Sequence, residues 1–371
     1  MLKTMINIPL ANPSRELEYI SDFKDKFDKQ ISGGIYVGGE NVNIFENNFK
    51  DFIGSKYCVS LNSGTDALML ALIALGIKKG DKVLVPSFTF FSTVECVLHL
   101  KAIPVFVDIN LQNYTIDIDD FSKKATSQIK AAIPVHLFGN DSQITEIKNI
   151  CLERNIHLVE DVAQAFGSRD EKNNYLGSIG DIGAYSFFPS KTLGGIGDGG
   201  CITTDNYQIY KKIKMLKNHG QIKNYEHEIV GGNSRLDSLN AFVLNEKLSI
   251  FSKIRSTRNK FYEYYLEHLK DIEWIYLPDK NNSDTVLNYF TIKVPTNIRS
   301  KLMNYLTSKK IGNAIYYKKP VHLQKVITNN YKKIKLQNTE IASKSVLSLP
   351  LYSFPKDDEL EYIVSMVKKF K

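Results

Sequence analysis

The segment GAYSFFPSKTLGGIGDGG, residues 183–200, decides how this chain is expected to fold and to work. It begins in an apolar, strand-like run and leads to one lysine, Lys191, which five glycines follow before Cys201. A lysine in a glycine-rich turn between strands can point inward, where its deprotonated amine condenses with an aldehyde to form a Schiff base. A flexible surface loop with a solvated lysine is the alternative, and the segment alone leaves both open.

An acidic pair ends the apolar run just upstream, in IHLVEDVAQAFGS at residues 156–168. Carboxylates at the carboxyl end of a strand in an open α/β sheet point into the crevice where ligands bind. A pyridoxal phosphate ring needs an acid opposite its nitrogen, because the protonated ring withdraws electrons. Asp161 fits this role, and Glu160 is the next candidate.

Further upstream, LNSGTDAL at residues 61–68 begins an apolar helix with small residues. The free N–H groups and the positive dipole end of such a helix suit a phosphate. A phosphate cradle, a strand-end carboxylate and a glycine-flanked lysine, in that order, indicate a pyridoxal phosphate site.

Eight short motifs in the same order extend this pattern along almost the whole chain. They resemble those of the DegT/StrS-type sugar-nucleotide aminotransferases, which are pyridoxal phosphate enzymes of the aspartate aminotransferase fold. Each motif is weak alone, and the ordered set is specific. The motifs are SGTDA at 63–67, PSFTF at 86–90, PVFVD at 104–108, PVHLFG at 134–139, EDVAQA at 160–165, SFFPSK at 186–191, GDGG at 197–200 and NSRLD at 233–237.

The resemblance implies a role for individual residues around pyridoxal 5'-phosphate. Lys191 would bind the cofactor aldehyde and shuttle the proton, and Asp161 would pair with the ring nitrogen. Gln164 would hydrogen-bond the phenolic oxygen of the cofactor. Ser186, Gly64 and Thr65 would bind its phosphate. Phe90 would stack on the ring face, and Phe88 and Phe91 are the alternatives for this role.

Two further residues concern the neighbouring subunit and the substrate. Asn233 lies in a sequence that resembles the family loop reaching into the partner subunit, which would make a homodimer with composite sites obligatory. The alternative for this stretch is a simple β-turn, for which its glycine, asparagine and serine residues are well suited. His322 matches a family histidine near the sugar nucleotide, although a lone histidine is as often structural.

The apolar pattern predicts an α/β fold. From residue 57 to about 205, short apolar runs alternate with helical segments, which favours a mostly parallel sheet covered on both faces. Residues 240–269 form a long helical stretch, after which strands and helices indicate a smaller α+β unit. We therefore expect a large cofactor-binding domain at residues 1–250 and a small carboxyl-terminal domain at residues 251–371.

Composition excludes several other classes of protein. Of 371 residues, 43% are hydrophobic and 24% charged, as in ordinary globular proteins. The four cysteines lie far apart and the seven histidines show no metal-ligand spacing, so neither disulfides nor a metal is expected. A net charge of +8 comes from scattered lysines without a nucleic-acid-binding motif. No membrane segment or leader is recognised, which predicts a cytoplasmic protein.

The predicted activity is transamination of a nucleotide-linked keto-sugar, with glutamate as amino donor, for surface polysaccharide or natural-product biosynthesis. The NSRLD motif resembles members that act at C3 of dTDP-linked 3-oxo-6-deoxyhexoses. A UDP- or dTDP-4-oxo-6-deoxyhexose 4-aminotransferase is the alternative. Family members that remove a hydroxyl carry histidine at the lysine position, so Lys191 argues against that chemistry. A non-catalytic regulator of the same fold is opposed by the intact Lys191, Asp161 and Gln164.

Overall fold

A seven-stranded sheet forms the centre of the chain in the computed structural model, which describes residues 6–223, 225–280, 284–331 and 333–370. The spatial order is β1-β7-β6-β5-β4-β2-β3, and β7 runs antiparallel to both of its neighbours. The strands are β1 (Tyr57–Leu61), β2 (Lys82–Pro86), β3 (Ile103–Val107), β4 (Ile129–Ala132), β5 (His157–Asp161), β6 (Ile182–Ser186) and β7 (Gly200–Thr204). The apolar runs predict strands at 57–61, 82–86, 103–108, 131–136, 157–160, 182–187 and 200–204. Each observed strand lies within about two residues of its prediction, apart from β4, which begins and ends earlier.

Helices cover both faces of this sheet, because its strands are apolar on both sides. One hydrophobic core contains Phe45, Phe49 and Phe187, and a second core on the other face contains Leu68 and Val85. The α/β fold predicted from the alternating pattern is therefore confirmed. The helices are α1 (Phe23–Ser32), α2 (Glu40–Ile53), α3 (Gly64–Ala74), α4 (Ser92–His99), α5 (Ile118–Lys124), α6 (Ile144–Glu153) and α7 (Tyr207–Leu216).

The predicted long helix over 240–269 is two helices, α8 (Ser238–Ser249) and α9 (Phe251–Leu269). They are separated at Ile250, whose backbone (φ −105°, ψ 11°) leaves the helical region. Because apolar residues continue at helical spacing through this point, the sequence pattern alone did not reveal the break. Before α8, a short hairpin joins β8 (Gln221–Lys223) to β9 (Glu226–His227).

The carboxyl-terminal part builds a third core around a two-stranded antiparallel sheet of β10 (Phe290–Lys293) and β11 (Val346–Leu349). The apolar pattern also predicts strands at 274–277, 289–294 and 312–317. The first and third of these segments make single bridges instead, at Tyr276 and Ala314. Strand β11 was not predicted. The helices here are α10 (Thr296–Ser308), α11 (Lys325–Thr328), α12 (Gln337–Ser345) and α13 (Asp357–Lys369).

The amino-terminal segment joins this third core. Ile8 is buried there, its N–H donates to the carbonyl of Lys310 at 2.9 Å, and its carbonyl accepts from Gly312 N–H at 2.7 Å. The domain boundary near residue 250 stays a prediction. The first residues of the expected large domain, 1–5, and the last residue of the expected small domain, 371, lie outside the described ranges. Within those ranges, no helix is long and apolar enough to cross a membrane.

Candidate active site

A cavity of about 650 Å³ opens where β5 and β6 end and α3 begins. Its wall contains seven of the eight residues that the sequence assigned to the cofactor. The eighth is Asn233, which is expected to contact the cofactor of the partner subunit. The seven come from four separate stretches of sequence, so only the folded chain brings them together. The seven are Gly64, Thr65, Phe90, Asp161, Gln164, Ser186 and Lys191.

One end of the cavity is lined by the first residues of α3. The Ser63 hydroxyl accepts a hydrogen bond from Asp66 N–H at 3.1 Å and so caps the helix. The first N–H groups of a helix have no partner within it and point outward. Gly64 lies so close to Ser186 that an added Cβ would stand 2.7 Å from the serine Cβ. Small residues therefore leave room for an anionic group among several donors.

Asp161 also lines the cavity, as the last residue of β5, and is only 3% exposed. Its two carboxylate oxygens accept hydrogen bonds from Ala163 N–H at 3.1 Å and from the Thr93 hydroxyl at 2.9 Å. Burial raises the pKa of Asp161 above its ordinary value, while these two bonds and the charge of Lys191 act to lower it.

Glu160, the other candidate acid, points to the opposite face of the strand and is fully buried. One carboxylate oxygen accepts from the N–H groups of Ile179 (2.8 Å) and Gly180 (2.6 Å). The other accepts from Gly177 N–H at 2.7 Å and lies 3.1 Å from Nε2 of His136. Glu160 therefore holds the loop before β6 in place and does not line the cavity.

Lys191 follows β6 in a loop that several buried side chains hold. Its own N–H donates to the carbonyl of Phe188 at 2.8 Å. The Asn240 amide bridges the loop, accepting from Ile196 N–H at 3.0 Å and donating to the Asp198 carbonyl at 2.8 Å. These contacts give the lysine a defined backbone position at the cavity wall, unlike the flexible surface loop considered from sequence.

Gln164 connects the cavity floor to the carboxyl-terminal part. Its Oε1 accepts from Phe138 N–H at 2.9 Å, and its Nε2 donates to the Tyr317 hydroxyl at 3.0 Å. Phe90, 58% exposed, lies on the cavity wall with its ring centroid 6.3 Å from that of Tyr317. Neither aromatic alternative lines the cavity, since Phe88 is buried behind its wall beside Tyr114 and Phe91 packs against the second core. Phe90 is thus the phenylalanine of this motif that a ring in the cavity could stack on.

Asn233 and His322 do not line this cavity. Asn233 is exposed and bridges to Asn218, so its side chain is free to meet another molecule. His322 is buried, with Nδ1 2.6 Å from the Ser87 hydroxyl, and it borders a separate cavity of about 530 Å³ beside β3. His322 therefore lies outside the cavity described above, and its expected substrate contact stays a prediction.

Sequence reasoning missed the residues that complete the cavity. Tyr289, Tyr316 and Tyr317 form an aromatic wall contributed by the carboxyl-terminal part. Adjacent tyrosines at 316–317 were a visible signal, but nothing local to them indicates which distant element they face. Thr93 was missed as well, because nothing in the sequence around it points to an acid 68 positions away.

The arrangement fits pyridoxal phosphate on the chemistry of its donors. A buried carboxylate suits a protonated ring nitrogen, small residues at a helix start suit a phosphate, and the lysine lines the same cavity. The space between them is bordered by aromatic side chains, which favour contact with a planar ring.

Comparison with known proteins agrees with this chemistry. A UDP-N-acetyl-3-dehydro-α-D-glucosamine 3-aminotransferase of Acidithiobacillus ferrooxidans is 34% identical over 92% of this chain and 91% of its own. A dTDP-3-amino-3,6-dideoxy-α-D-galactopyranose transaminase of Aneurinibacillus thermoaerophilus is 33% identical over 95% and 96%. The crystal structure of S. venezuelae DesV with a ketimine intermediate is 30% identical, with a TM-score of 0.92 over 98% of both chains.

The model of the DegT/DnrJ/EryC1/StrS aminotransferase family matches residues 18–368, nearly the full length of the chain. The expected fold, the enzyme class and pyridoxal 5'-phosphate as cofactor are thereby confirmed. This chain belongs to the DegT/DnrJ/EryC1/StrS aminotransferase family.

Proposed function

We propose that this enzyme transfers an amino group from glutamate to C3 of a nucleotide-linked 3-oxo sugar. The observation that carries the proposal is the convergence of Lys191, Asp161 and the α3 cradle in one cavity. The two relatives compared above are named for amination at C3, which supports this position over C4.

Each residue of the cavity then has a defined task. Bound pyridoxal phosphate withdraws electrons from the carbon that carries the amino group. The amine of Lys191 moves the proton to and from that carbon. Asp161 keeps the ring nitrogen protonated, while Gly64 and Ser186 hold the phosphate. The tyrosines from the carboxyl-terminal part cover the cavity and limit the access of water.

For the sugar nucleotide, we retain the dTDP-linked 3-oxo-6-deoxyhexose predicted from the NSRLD motif, with UDP as the alternative nucleotide. One of the two relatives is named for a UDP-linked sugar and the other for a dTDP-linked sugar. Family membership therefore leaves the choice of nucleotide to experiment. Purified enzyme is incubated with glutamate and 3-oxo or 4-oxo sugars linked to dTDP or UDP, and the products are identified by mass spectrometry. Amination of 4-oxo substrates alone would overturn the C3 proposal.

Lys191→Ala tests the enzymatic function against the regulator alternative. We expect yellow wild-type protein and a variant that keeps its fold but loses transamination. Among the described residues that line the cavity, Lys191 alone has an amine side chain. Circular dichroism verifies the fold and single-turnover absorbance follows the reaction. Substantial turnover by the variant would refute the assignment of Lys191. Pyridoxal phosphate can still bind non-covalently, so colour alone is not diagnostic.

We further propose a homodimer in which Asn233 of one subunit completes the phosphate site of the other. Its exposure and its absence from its own cavity support this arrangement. Lys191→Ala and Asn233→Asp subunits, each inactive alone, should recover up to about half of wild-type activity per dimer when mixed. The reason is that one of the two sites then has neither lesion. If mass spectrometry confirms subunit exchange and no activity returns, Asn233 acts within its own subunit.

The cytoplasmic location stays a prediction, as does the biosynthetic pathway that uses the product. Cell fractionation with an antibody to the chain tests the first. The sugar identified in the substrate panel decides between the pathways that consume it.

A further inference from the structure

Two buried threonine hydroxyls lead from the cavity wall to the carboxylate of Asp161. Thr93, at the start of α4, is fully buried, and its hydroxyl oxygen lies 2.9 Å from one oxygen of Asp161. The hydroxyl oxygen of Thr89 lies 2.9 Å from that of Thr93 and borders the cavity. Thr93 itself does not line the cavity, so it reaches the site only through its hydrogen bonds to Asp161 and Thr89.

The directions of these hydrogen bonds follow from counting protons. An ionised carboxylate only accepts hydrogen bonds, and each threonine hydroxyl has a single proton to donate. Thr93 therefore donates to Asp161, and its oxygen accepts from Thr89. With Ala163 N–H on the other oxygen, both carboxylate oxygens of Asp161 are held. Each oxygen keeps a lone pair free for a further donor.

We propose that Thr93 is a positioning residue of the transamination, which orients the Asp161 carboxylate and favours its ionised form, and that Thr89 fixes the direction of the Thr93 hydroxyl. The proposal rests on the proposed function, in which Asp161 faces the ring nitrogen of the cofactor. Because a hydrogen bond to a charged acceptor is stronger than one between neutral groups, its loss weakens the charge that keeps the ring protonated.

Other charged or titratable groups also act on Asp161 and remain when Thr93 is changed. Lys191 and His136 lower its pKa, whereas Asp161 in turn raises the pKa of Cys96 and of Tyr317. Of all the influences on Asp161, burial is the largest and favours the neutral acid. A change confined to Thr93 therefore isolates the hydroxyl contribution.

The test compares Thr93→Val, which is nearly the same shape without the donor, with Thr93→Ser, which keeps the hydroxyl. Thr291→Val is the matched control, since Thr291 is equally buried and its hydroxyl lies 2.8 Å from that of Ser348, away from the cavity. Each variant is loaded with pyridoxal phosphate labelled with nitrogen-15, and the ring-nitrogen NMR shift is followed with pH. The half-reaction with glutamate is measured by stopped-flow absorbance.

In Thr93→Val we expect the ring-nitrogen signal to move toward that of neutral pyridine at a lower pH than in wild type. The maximal rate of the half-reaction should fall about ten- to a hundredfold, the effect of losing one hydrogen bond to a charged group. The glutamate concentration at half-maximal rate should change little, because Thr93 does not line the cavity. Thr93→Ser should restore most of the ring-nitrogen titration and of the maximal rate. Thr291→Val should match wild type in both measurements.

An unchanged ring-nitrogen titration in Thr93→Val would overturn the proposal, as would equal losses in the valine and serine variants. If Thr93→Val does not fold, Thr89→Val takes its place and should shift the titration in the same direction by a smaller amount. A wild-type protein that binds no pyridoxal phosphate would instead refute the proposed function. The two failures are therefore distinguishable.

Discussion

Replacing Glu160 by glutamine should lower the free energy of unfolding of this enzyme and leave its catalytic groups unchanged. Four donors point at the two Glu160 oxygens, namely three backbone N–H groups and Nε2 of His136. Glutamine has one acceptor oxygen, so whichever way its amide is turned, the NH₂ group meets two donors. His136 gains little by changing tautomer, because its Nδ1 already accepts from Ser142 N–H at 3.2 Å.

The magnitude follows from the bonds that are lost. Two hydrogen bonds to a charged group are worth about 1.5–3 kcal/mol each, so Glu160→Gln should cost about 3–6 kcal/mol. That is a large fraction of the roughly 5–15 kcal/mol by which native proteins are stable. We expect the Tm to fall by at least about 5 °C, at roughly 2–4 °C per kcal/mol. Differential scanning calorimetry on cofactor-free protein measures it.

Asp161→Asn is the matched control on the adjacent residue of the same strand. Asparagine can accept from Ala163 N–H and donate to the Thr93 hydroxyl oxygen. The Thr93 proton can then turn to the Thr89 hydroxyl, so no buried group loses its partner. Because burial raises the pKa of Asp161, its folded form binds a proton more readily, and its ionisation destabilises the fold as pH rises through that pKa. Asp161→Asn should therefore keep or raise the Tm of cofactor-free protein at neutral pH.

In activity, the order of the two variants should be reversed, with the larger loss in Asp161→Asn. Asp161→Asn should lose about two to three orders of magnitude in turnover, equivalent to roughly 3–4 kcal/mol of electrostatic stabilisation. Glu160→Gln, measured well below its Tm, should lose less than about tenfold. If Glu160→Gln proves as stable as wild type, or Asp161→Asn proves as active, the division of roles between the two carboxylates is wrong.

Two further outcomes follow from the geometry. Gly64→Ala should weaken pyridoxal phosphate binding about tenfold or more in equilibrium dialysis, because the new Cβ displaces Ser186 at an overpacking cost of about 1–3 kcal/mol. Gly33→Ala, with ordinary contacts of 3.4 Å or more, should bind normally. Burial raises the pKa of Glu359, but the hydrogen bonds from Arg15, Lys356 N–H and Tyr352, together with the charge of Arg15, hold it below its ordinary value. Arg15→Gln should therefore lower the Tm. This difference should shrink below about pH 4, as the carboxylate is protonated.

The sequence determined the elements and the chemistry that are encoded locally. Alternating apolar runs and helical spacing located all seven strands of the central sheet, because periodicity depends on neighbours along the chain. Short motifs likewise predicted that Lys191, Asp161 and Gly64 belong to one pyridoxal phosphate site, and the three line one cavity. Their residue types carry the chemistry even before the distances between them are known.

Choices that depend on three-dimensional neighbours came only from the tertiary structure. Glu160 and Asp161 are adjacent acids at one strand end, and strand geometry requires them to face opposite ways. Which face meets the cavity depends on how β5 sits among its neighbours. Likewise, the sequence does not indicate that Thr93 bonds to an acid 68 positions away.

The same reason explains the differences elsewhere in the chain. His322 lies in a motif that resembles a substrate-binding one, yet packing places it beside β3 against Ser87. The sequence around Tyr317 does not indicate which element it faces, but the carboxyl-terminal part brings its hydroxyl to Gln164. Local sequence specifies which groups are available. The packing of distant elements decides which of them meet, because contacts between residues far apart in sequence form only when the whole core does.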